Sequence, residues 1–321
     1  MSPDGKRPRI GFLGPSGTFT EQALLTQHDL AESELVPLGS ISDVLWAAHT
    51  GEVDLGFVAI ENAIEGSVNV TLDTMALDTE LLIQREVVMA VHLCLLARPG
   101  VQLKQIEQAV SIPVATAQCR AFLRSELPKV KFLAANSTAE AAKQLSEDGD
   151  DHTAVIAPAR SAEVYGLDIL ASEIEDHPEN KTRFVVVAER GFPKPTGHDK
   201  TSIVVFQRAD EPGSLLGILQ EFAARNINLT KLSSRPTKVS LGDYCFLIDM
   251  EGHIDDELVA DALRALKSKQ SDVKFLGSYP AAGEHGPAVR RDMHEAWRRA
   301  DEWIAELRTH MDDWDGGPAA G

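Results

Sequence analysis

The stretch "ERGFPKPTGHD", residues 189–199, decides how the chain divides. Two prolines and two glycines in eleven residues bar a continuous helix or strand, so the stretch reads as a linker. Ahead of it, short apolar runs alternate with amphipathic stretches, a βα rhythm that implies mostly parallel sheet covered by helices. "RIGFLG" reads as a strand, "TFTEQALLTQHDL" and "ISDVLWAAHTGE" as helices, and "VDLGFVAIE" as a strand. "SVNVTLDTMALD" reads as helical, and "LLIQREVVMAVHLCLLAR" as one long strand. A second set follows: "QAVSIP", "VKFLAA" and "TAVIAP" as strands, "VATAQCRAFLRSEL" and "STAEAAKQLSED" as helices. Two α/β lobes are expected rather than one wide sheet.

Behind the linker the pattern tightens into βαββαβ, a ferredoxin-like unit. Its strands are "KTSIVVFQRAD", "INLTKLSSRPT", "DYCFLIDMEG" and "DVKFLGSYP", its helices "GSLLGILQEFAARN" and "DDELVADALRALKSK". Pro212-Gly213 starts the first of these helices and Asn226 ends it. The boundaries are therefore 7–190, 199–280 and a tail, 281–321. In the tail Met293, Trp297, Ala300, Ile304, Leu307 and Met311 recur at steps of four and three, one helical stripe. It packs either on its own domain or against another subunit.

The 321 residues carry a formal net charge of −18, from 49 acids and 31 bases. Such a chain repels phosphate backbones, so nucleic acid and anionic membrane are poor partners. Its longest apolar run, "VVMAVHLCLLA", falls short of the ~20 residues that span a bilayer, and "MSPDGKRPRIGFLGP" has no signal-peptide core. Cys94, Cys119 and Cys245 are odd in number and lack CxxC spacing, which points to a reducing cytoplasm without disulfides or zinc. The ten histidines show no paired-ligand spacing, so no metal and no cofactor are expected.

Four stretches could carry chemistry. "GPSGTFTEQ" offers loop N–H groups at a helix start, where an anion is favoured, although a plain cap through Thr18 or Thr20 explains it equally. "IENAIEGSVN" puts Glu61 and Asn62 where a parallel strand opens on a crevice. The alternative is a solvated turn at Gly66. "SIPVATAQC" places Ser111 at a strand end and Gln118 on the next helix, while Cys119, with no histidine near it, reads as a buried thiol. "NKTRFVVV" begins a valine strand with Thr182 and Arg183. This is either a solvated strand end or the mouth of a cleft. Together the stretches suit a small anionic ligand held between lobes.

In order, "GPSGTFTEQA", "IENAIEGSVN", "AQC", "YGLDILASEIEDHPENKTRF" and "INLTKLSSRP" resemble the motifs of the prephenate dehydratases that carry a C-terminal ACT domain. The resemblance runs from about Arg9 to Pro280 and leaves out the tail. It implies two lobes like those of type II periplasmic binding proteins, followed by the ACT domain. It also implies conversion of prephenate to phenylpyruvate with loss of carbon dioxide and water, Thr182 being the proton donor. Thr18, Phe19, Thr20, Glu61, Asn62, Ser111, Gln118, Arg183 and Phe184 match substrate-pocket positions, Arg183 as partner of a substrate carboxylate.

The family's feedback inhibitor, L-phenylalanine, implies a second pocket between subunits of a homodimer or homotetramer. On one side it has Gly213, Ser214, Leu215 and Leu216; on the other Asn228, Leu229, Thr230, Ser233, Ser234, Arg235 and Pro236. The chain departs from the family at Ile112 and Val114, where His and Gln are usual, and at Ser233, where Glu is usual. The last change implies a weaker grip on the effector's ammonium group. Arogenate dehydratase and a non-catalytic amino-acid sensor are the alternatives.

Overall fold

The computed structural model describes residues 7–207, 211–238, 243–270, 272–282, 299 and 302–309. Residues up to Ala282 form one compact unit and those from Gly283 a second. In the second, a helix covers 302–309 with Trp303, Ile304 and Leu307 exposed. Met293, Trp297, Ala300 and Met311 of the expected stripe lie outside the described residues.

The first lobe begins with strands β1 (Arg9–Leu13), β2 (Glu34–Leu38), β3 (Leu55–Asn62), β4 (Gly66–Ser67) and β5 (Leu82–Ala90). Its helices are α1 (Phe19–Leu25), α2 (His28–Ala31), α3 (Ile41–His49) and α4 (Asn69–Asp73). The second lobe holds β6 (Cys94–Ala97), β7 (Gln108–Ser111), β8 (Lys131–Ala134), β9 (Thr153–Ala157) and β10 (Asp168–Ala171). Around them lie α5 (Pro113–Ala117), α6 (Arg120–Glu126), α7 (Thr138–Asp148) and α8 (Ala159–Tyr165). The chain then returns to the first lobe as β11 (Lys181–Ala188). The ferredoxin-like domain follows: β12 (Asp199–Phe206), α9 (Ser214–Ala223), β13 (Leu229–Pro236), β14 (Tyr244–Glu251), α10 (Glu257–Lys269) and β15 (Asp272–Pro280).

Strand orders are β2-β1-β3-β11-β5 in the first sheet, β10-β6-β9-β7-β8 in the second and β13-β14-β12-β15 in the third. β11 runs antiparallel between β3 and β5, while β1, β2 and β3 are mutually parallel. This is the two-lobed α/β arrangement expected, with a four-stranded antiparallel ferredoxin-like sheet after it.

Three expected elements are broken. The helix over 18–30 divides at Thr26–Gln27 into α1 and α2, where the Thr26 hydroxyl turns back to the Ala23 carbonyl. The long strand over 81–98 splits at Val91–Leu93, and its halves join different sheets. This is a crossing between lobes, stapled by Glu175, whose carboxylate lies 2.8 Å from His92 Nδ1 and accepts the Leu93 N–H at 2.8 Å. The helix over 114–127 splits at Gln118–Cys119 into α5 and α6. There Asp176 accepts the Arg120 and Ala121 N–H groups that begin α6, a carboxylate at a helix start.

Strand alternation sorts the core. Phe184 and Val186 join Ile10, Phe12, Leu24 and Phe57 on one side of β11. Val185 and Val187 join α3 and the third sheet on the other, through Val204, Leu247 and Tyr279. In β12 the odd positions, Ile203 and Val205, pack under α9 and α10, while Val204 packs on the first lobe. The ferredoxin-like sheet thus has helices on one face and the first lobe on the other.

Candidate active site

β11 delivers consecutive residues to opposite sides of the first sheet. Thr182 pairs with Asn62 of β3, and Asn62 Nδ2 donates to Thr182 Oγ1 at 2.9 Å and to Asn180 Oδ1 at 2.9 Å. Asn62 Oδ1 accepts the N–H groups of Ile64 and Glu65, both at 2.9 Å. Two backbone donors at the oxygen fix which way the amide points. The amide is therefore a donor to Thr182, which leaves the hydroxyl proton free for another acceptor.

The network then crosses between lobes. Asn180, 1% exposed, donates to Gln118 Oε1 at 3.3 Å, and Gln118 Nε2 donates to Glu65 at 3.2 Å. The segment ahead of β11 serves as a strap. Glu175 binds the first crossing, Asp176 caps α6 and donates its N–H to the Gln118 carbonyl, and the Asn180 carbonyl accepts the Val91 N–H. Asn180 and Glu65 were not among the expected site residues. Asn180 carried a signal, a polar residue two positions before Thr182 where a buried strand begins.

Of the two readings left open for the glycine loop, the structure shows the cap. Thr18 is the N-cap of α1: its hydroxyl accepts from the Glu21 N–H and donates to the Leu13 carbonyl. The Gly17 N–H goes to the buried Glu21 carboxylate, so that amide is not open to an anion. Helix α8 of the second lobe clamps the loop through Ser161 to the Gly17 carbonyl, Tyr165 to the Ser16 carbonyl and Arg160 to Glu21. Gly17 has φ +92°, and a Cβ there would meet Tyr165 and Ser161 at 3.1–3.3 Å, so only glycine fits. Thr20 is buried on α1, and Phe19 packs against the second lobe's core. Ser111 is buried and donates to the Ile156 carbonyl at 2.7 Å. Cys119 is fully buried, and burial pushes its thiol up to about 12, which removes it as a nucleophile.

Arg183, Glu61 and Phe184 correct the expected pocket. Phe184 is 1% exposed and stacks on Phe57, 5.4 Å between centroids. Arg183 lies on the face away from Thr182. Its guanidinium meets Glu61 at 3.2 Å, Glu86 at 2.7 Å and, in the ferredoxin-like domain, Asp249 at 2.6 Å and Tyr279 at 3.2 Å. Burial opposes its charge, yet Asp249, Tyr279 and Glu86 outweigh burial and raise its pKa. Three carboxylates already hold it, so it is not a free partner for a substrate carboxylate. Lys200 joins the same cluster through Glu86 at 2.8 Å, and Lys231 through Glu61 at 3.3 Å.

The expected effector residues also divide by face. Gly213, Ser214, Leu215, Leu216 and Ser234 line one cavity of about 430 Å³ at the start of α9, with Tyr244 and Phe246. Ser233 and Arg235 turn the other way, Ser233 Oγ to Ser67 Oγ at 3.3 Å and Arg235 to Asp73 at 2.7 and 2.9 Å. Alternation along β13 is the reason. Leu229 packs on the helix-covered core, a register shift between it and Lys231 resetting the alternation, and Pro236 is exposed. Asn228 bonds Glu251, and the Thr230 hydroxyl reaches the Asp249 carbonyl at 3.4 Å.

A family model described as prephenate dehydratase matches residues 10–191, and an ACT domain model matches 201–268. A prephenate dehydratase of Mycolicibacterium vanbaalenii is 41% identical over 295 residues, 88% of this chain and 94% of that one. A bifunctional chorismate mutase/prephenate dehydratase of Aquifex aeolicus is 42% identical over 86% of this chain and 75% of its own. The crystal structure of prephenate dehydratase from Arthrobacter aurescens, in complex with L-Phe, superposes with a TM-score of 0.87 at 39% identity, covering 94% and 99% of the two chains. A strand-end threonine held by an asparagine, between two α/β lobes backed by a ferredoxin-like sheet, thus sits in a chain that belongs to the prephenate dehydratase family of carbon–oxygen lyases and carries an ACT domain.

Proposed function

We propose that the protein converts prephenate to phenylpyruvate with Thr182 as proton donor, and that L-phenylalanine inhibits it through the ACT domain. The observation that carries the first part is the direction of the Asn62–Thr182 hydrogen bond. In the reaction the ring carboxylate leaves as carbon dioxide, and its bonding electrons enter the ring as the ring C–O bond breaks. The departing hydroxide takes the Thr182 proton and leaves as water, and the threonine regains a proton from solvent. Aromatisation drives the step, so a weak acid suffices if it is oriented. The Asn62 amide stabilises charge developing on Thr182 Oγ1. Gln118 and Asn180 tie that pair to the second lobe.

Regulation is supported by the ACT match, by the cavity at the start of α9 and by the L-Phe held in the Arthrobacter aurescens relative. The α9 start presents backbone N–H groups suited to an amino acid's carboxylate. We place the effector at that cavity, completed by a second subunit of a homodimer or homotetramer. A cytoplasmic location is supported by three free, buried cysteines. Functionally the chain divides as 7–190 for catalysis and 199–280 for regulation. The deciding experiment is turnover of prephenate by the purified full chain, read from the enolic ultraviolet absorbance of the product, with and without phenylalanine. Absence of phenylpyruvate overturns the reading.

A further inference from the structure

Strand β13 has two differently engaged faces. Ser234 lines the cavity at the start of α9. The alternate residues Lys231, Ser233 and Arg235 all reach the first lobe, at Glu61, Ser67 and Asp73. Glu61 and Ser67 are themselves partners in the β3–β4 hairpin. Its turn supplies the Ile64 and Glu65 N–H groups that orient Asn62. The effector strand therefore grips both legs of the hairpin whose turn aims the Thr182 partner.

The contacts are unequal. Arg235 grips Asp73 with two hydrogen bonds, a firm anchor. Lys231 has a side chain only 6% exposed, and its ammonium lies 3.3 Å from Glu61 without a well-aligned side-chain hydrogen bond among the described residues, Asp249 opposite it on β14 being the second carboxylate that favours its charge. A buried ammonium held by charge without an aligned hydrogen bond is a contact that a small shift of β13 can improve or break. Such a contact is easily biased by a ligand, and an effector acts only by favouring one of two arrangements.

We propose that Lys231 is a positioning residue: through Glu61 it transmits a shift of β13 to the β3–β4 hairpin, and so sets the alignment of Asn62 with the Thr182 hydroxyl. The regulatory half rests on the phenylalanine reading above. Occupation of the α9 cavity moves β13, and the hairpin turn carries the Asn62 amide out of line.

The test uses the full chain with Lys231→Met, close in volume but without charge, and Lys231→Arg, which keeps the charge. Phenylalanine binding is measured by calorimetry, inhibition by prephenate turnover, and mobility of the turn by hydrogen exchange at the Ile64 and Glu65 amides. Lys231→Met is expected to bind phenylalanine within about threefold of the native protein while coupling between effector and turnover falls about tenfold. Its turn amides are expected to exchange faster, and Lys231→Arg to restore both. Native-like inhibition of Lys231→Met at equal phenylalanine occupancy overturns the route. A native protein that binds no phenylalanine sinks the feedback reading instead. The exchange rates then decide the positioning role: unchanged rates in Lys231→Met refute it, and faster rates sustain it.

Discussion

Asn62 and Thr182 face each other across the β3–β11 pairing, with the amide nitrogen 2.9 Å from the hydroxyl oxygen and the amide as donor. One Thr182 lone pair is occupied by that bond, and the hydroxyl's own proton must point elsewhere, as a proton donor requires. Thr182→Val keeps the shape and loses the proton. It is expected to lower kcat by about 10²–10⁴, the usual worth of general-acid help, with KM changed far less. Thr182→Ser should keep more activity. Steady-state kinetics on prephenate check this, and a Thr182→Val enzyme at native rate sends the donor role elsewhere.

Asn180 is the buried link between Asn62 and Gln118. Asn180→Ala strips a donor and an acceptor from their partners, and an unsatisfied buried polar group costs about 1–3 kcal/mol. The expected result is a fall in kcat/KM of roughly tenfold to a hundredfold, accompanied by a lower Tm. A kcat/KM equal to native removes the link from the mechanism.

Arg183→Lys separates a structural role from a substrate-binding one. The guanidinium serves Glu61, Glu86 and Asp249 at once, which a compact ammonium cannot do. Breaking a buried ion-pair cluster costs about 3–5 kcal/mol when a partner is lost outright, so Arg183→Met should lose about that much stability and Arg183→Lys less. Denaturant unfolding measures both. KM for prephenate in Arg183→Lys is expected to stay near native, and a large rise would return the arginine to the substrate.

Acid should loosen the ACT contact at Asp73. The hydrogen bond from Arg235 outweighs burial and holds the Asp73 carboxyl below its usual range. A carboxyl depressed in the folded state contributes stability that is present above the unfolded value of about 3.9 and is lost as pH falls through the folded value. Asp73→Asn should therefore melt below native at pH 7. The gap should close at pH below about 3.9. A gap that is constant with pH would show that the carboxylate's charge contributes nothing.

The fold was legible because periodicity survives in the sequence: two apolar rhythms, divided by a proline-glycine linker. The structure links Thr182, Asn62 and Gln118 through Asn180, and it separates Arg183 and Phe184 from that group. "TRFVVV" shows alternation without saying which side is the cleft, because a central strand covered on both faces carries no polar face to read. Asn180 escaped because its partners, Asn62 and Gln118, lie 118 and 62 residues away. The strand over 81–98 broke where the chain changes lobes, a tertiary event that an unbroken apolar run conceals.

The placing of β11 between β3 and β5 sets an order of assembly. Residues 94–171 form the second sheet from one continuous stretch, and can close on themselves as soon as they leave the ribosome. The first sheet has a gap at its centre until residues 181–188 emerge, so its earlier strands wait with exposed edges while about a hundred more residues are made, several seconds at ordinary synthesis rates. The lobe that comes first in the chain is therefore the later of the two to be completed, and the strand that completes it is the one carrying Thr182.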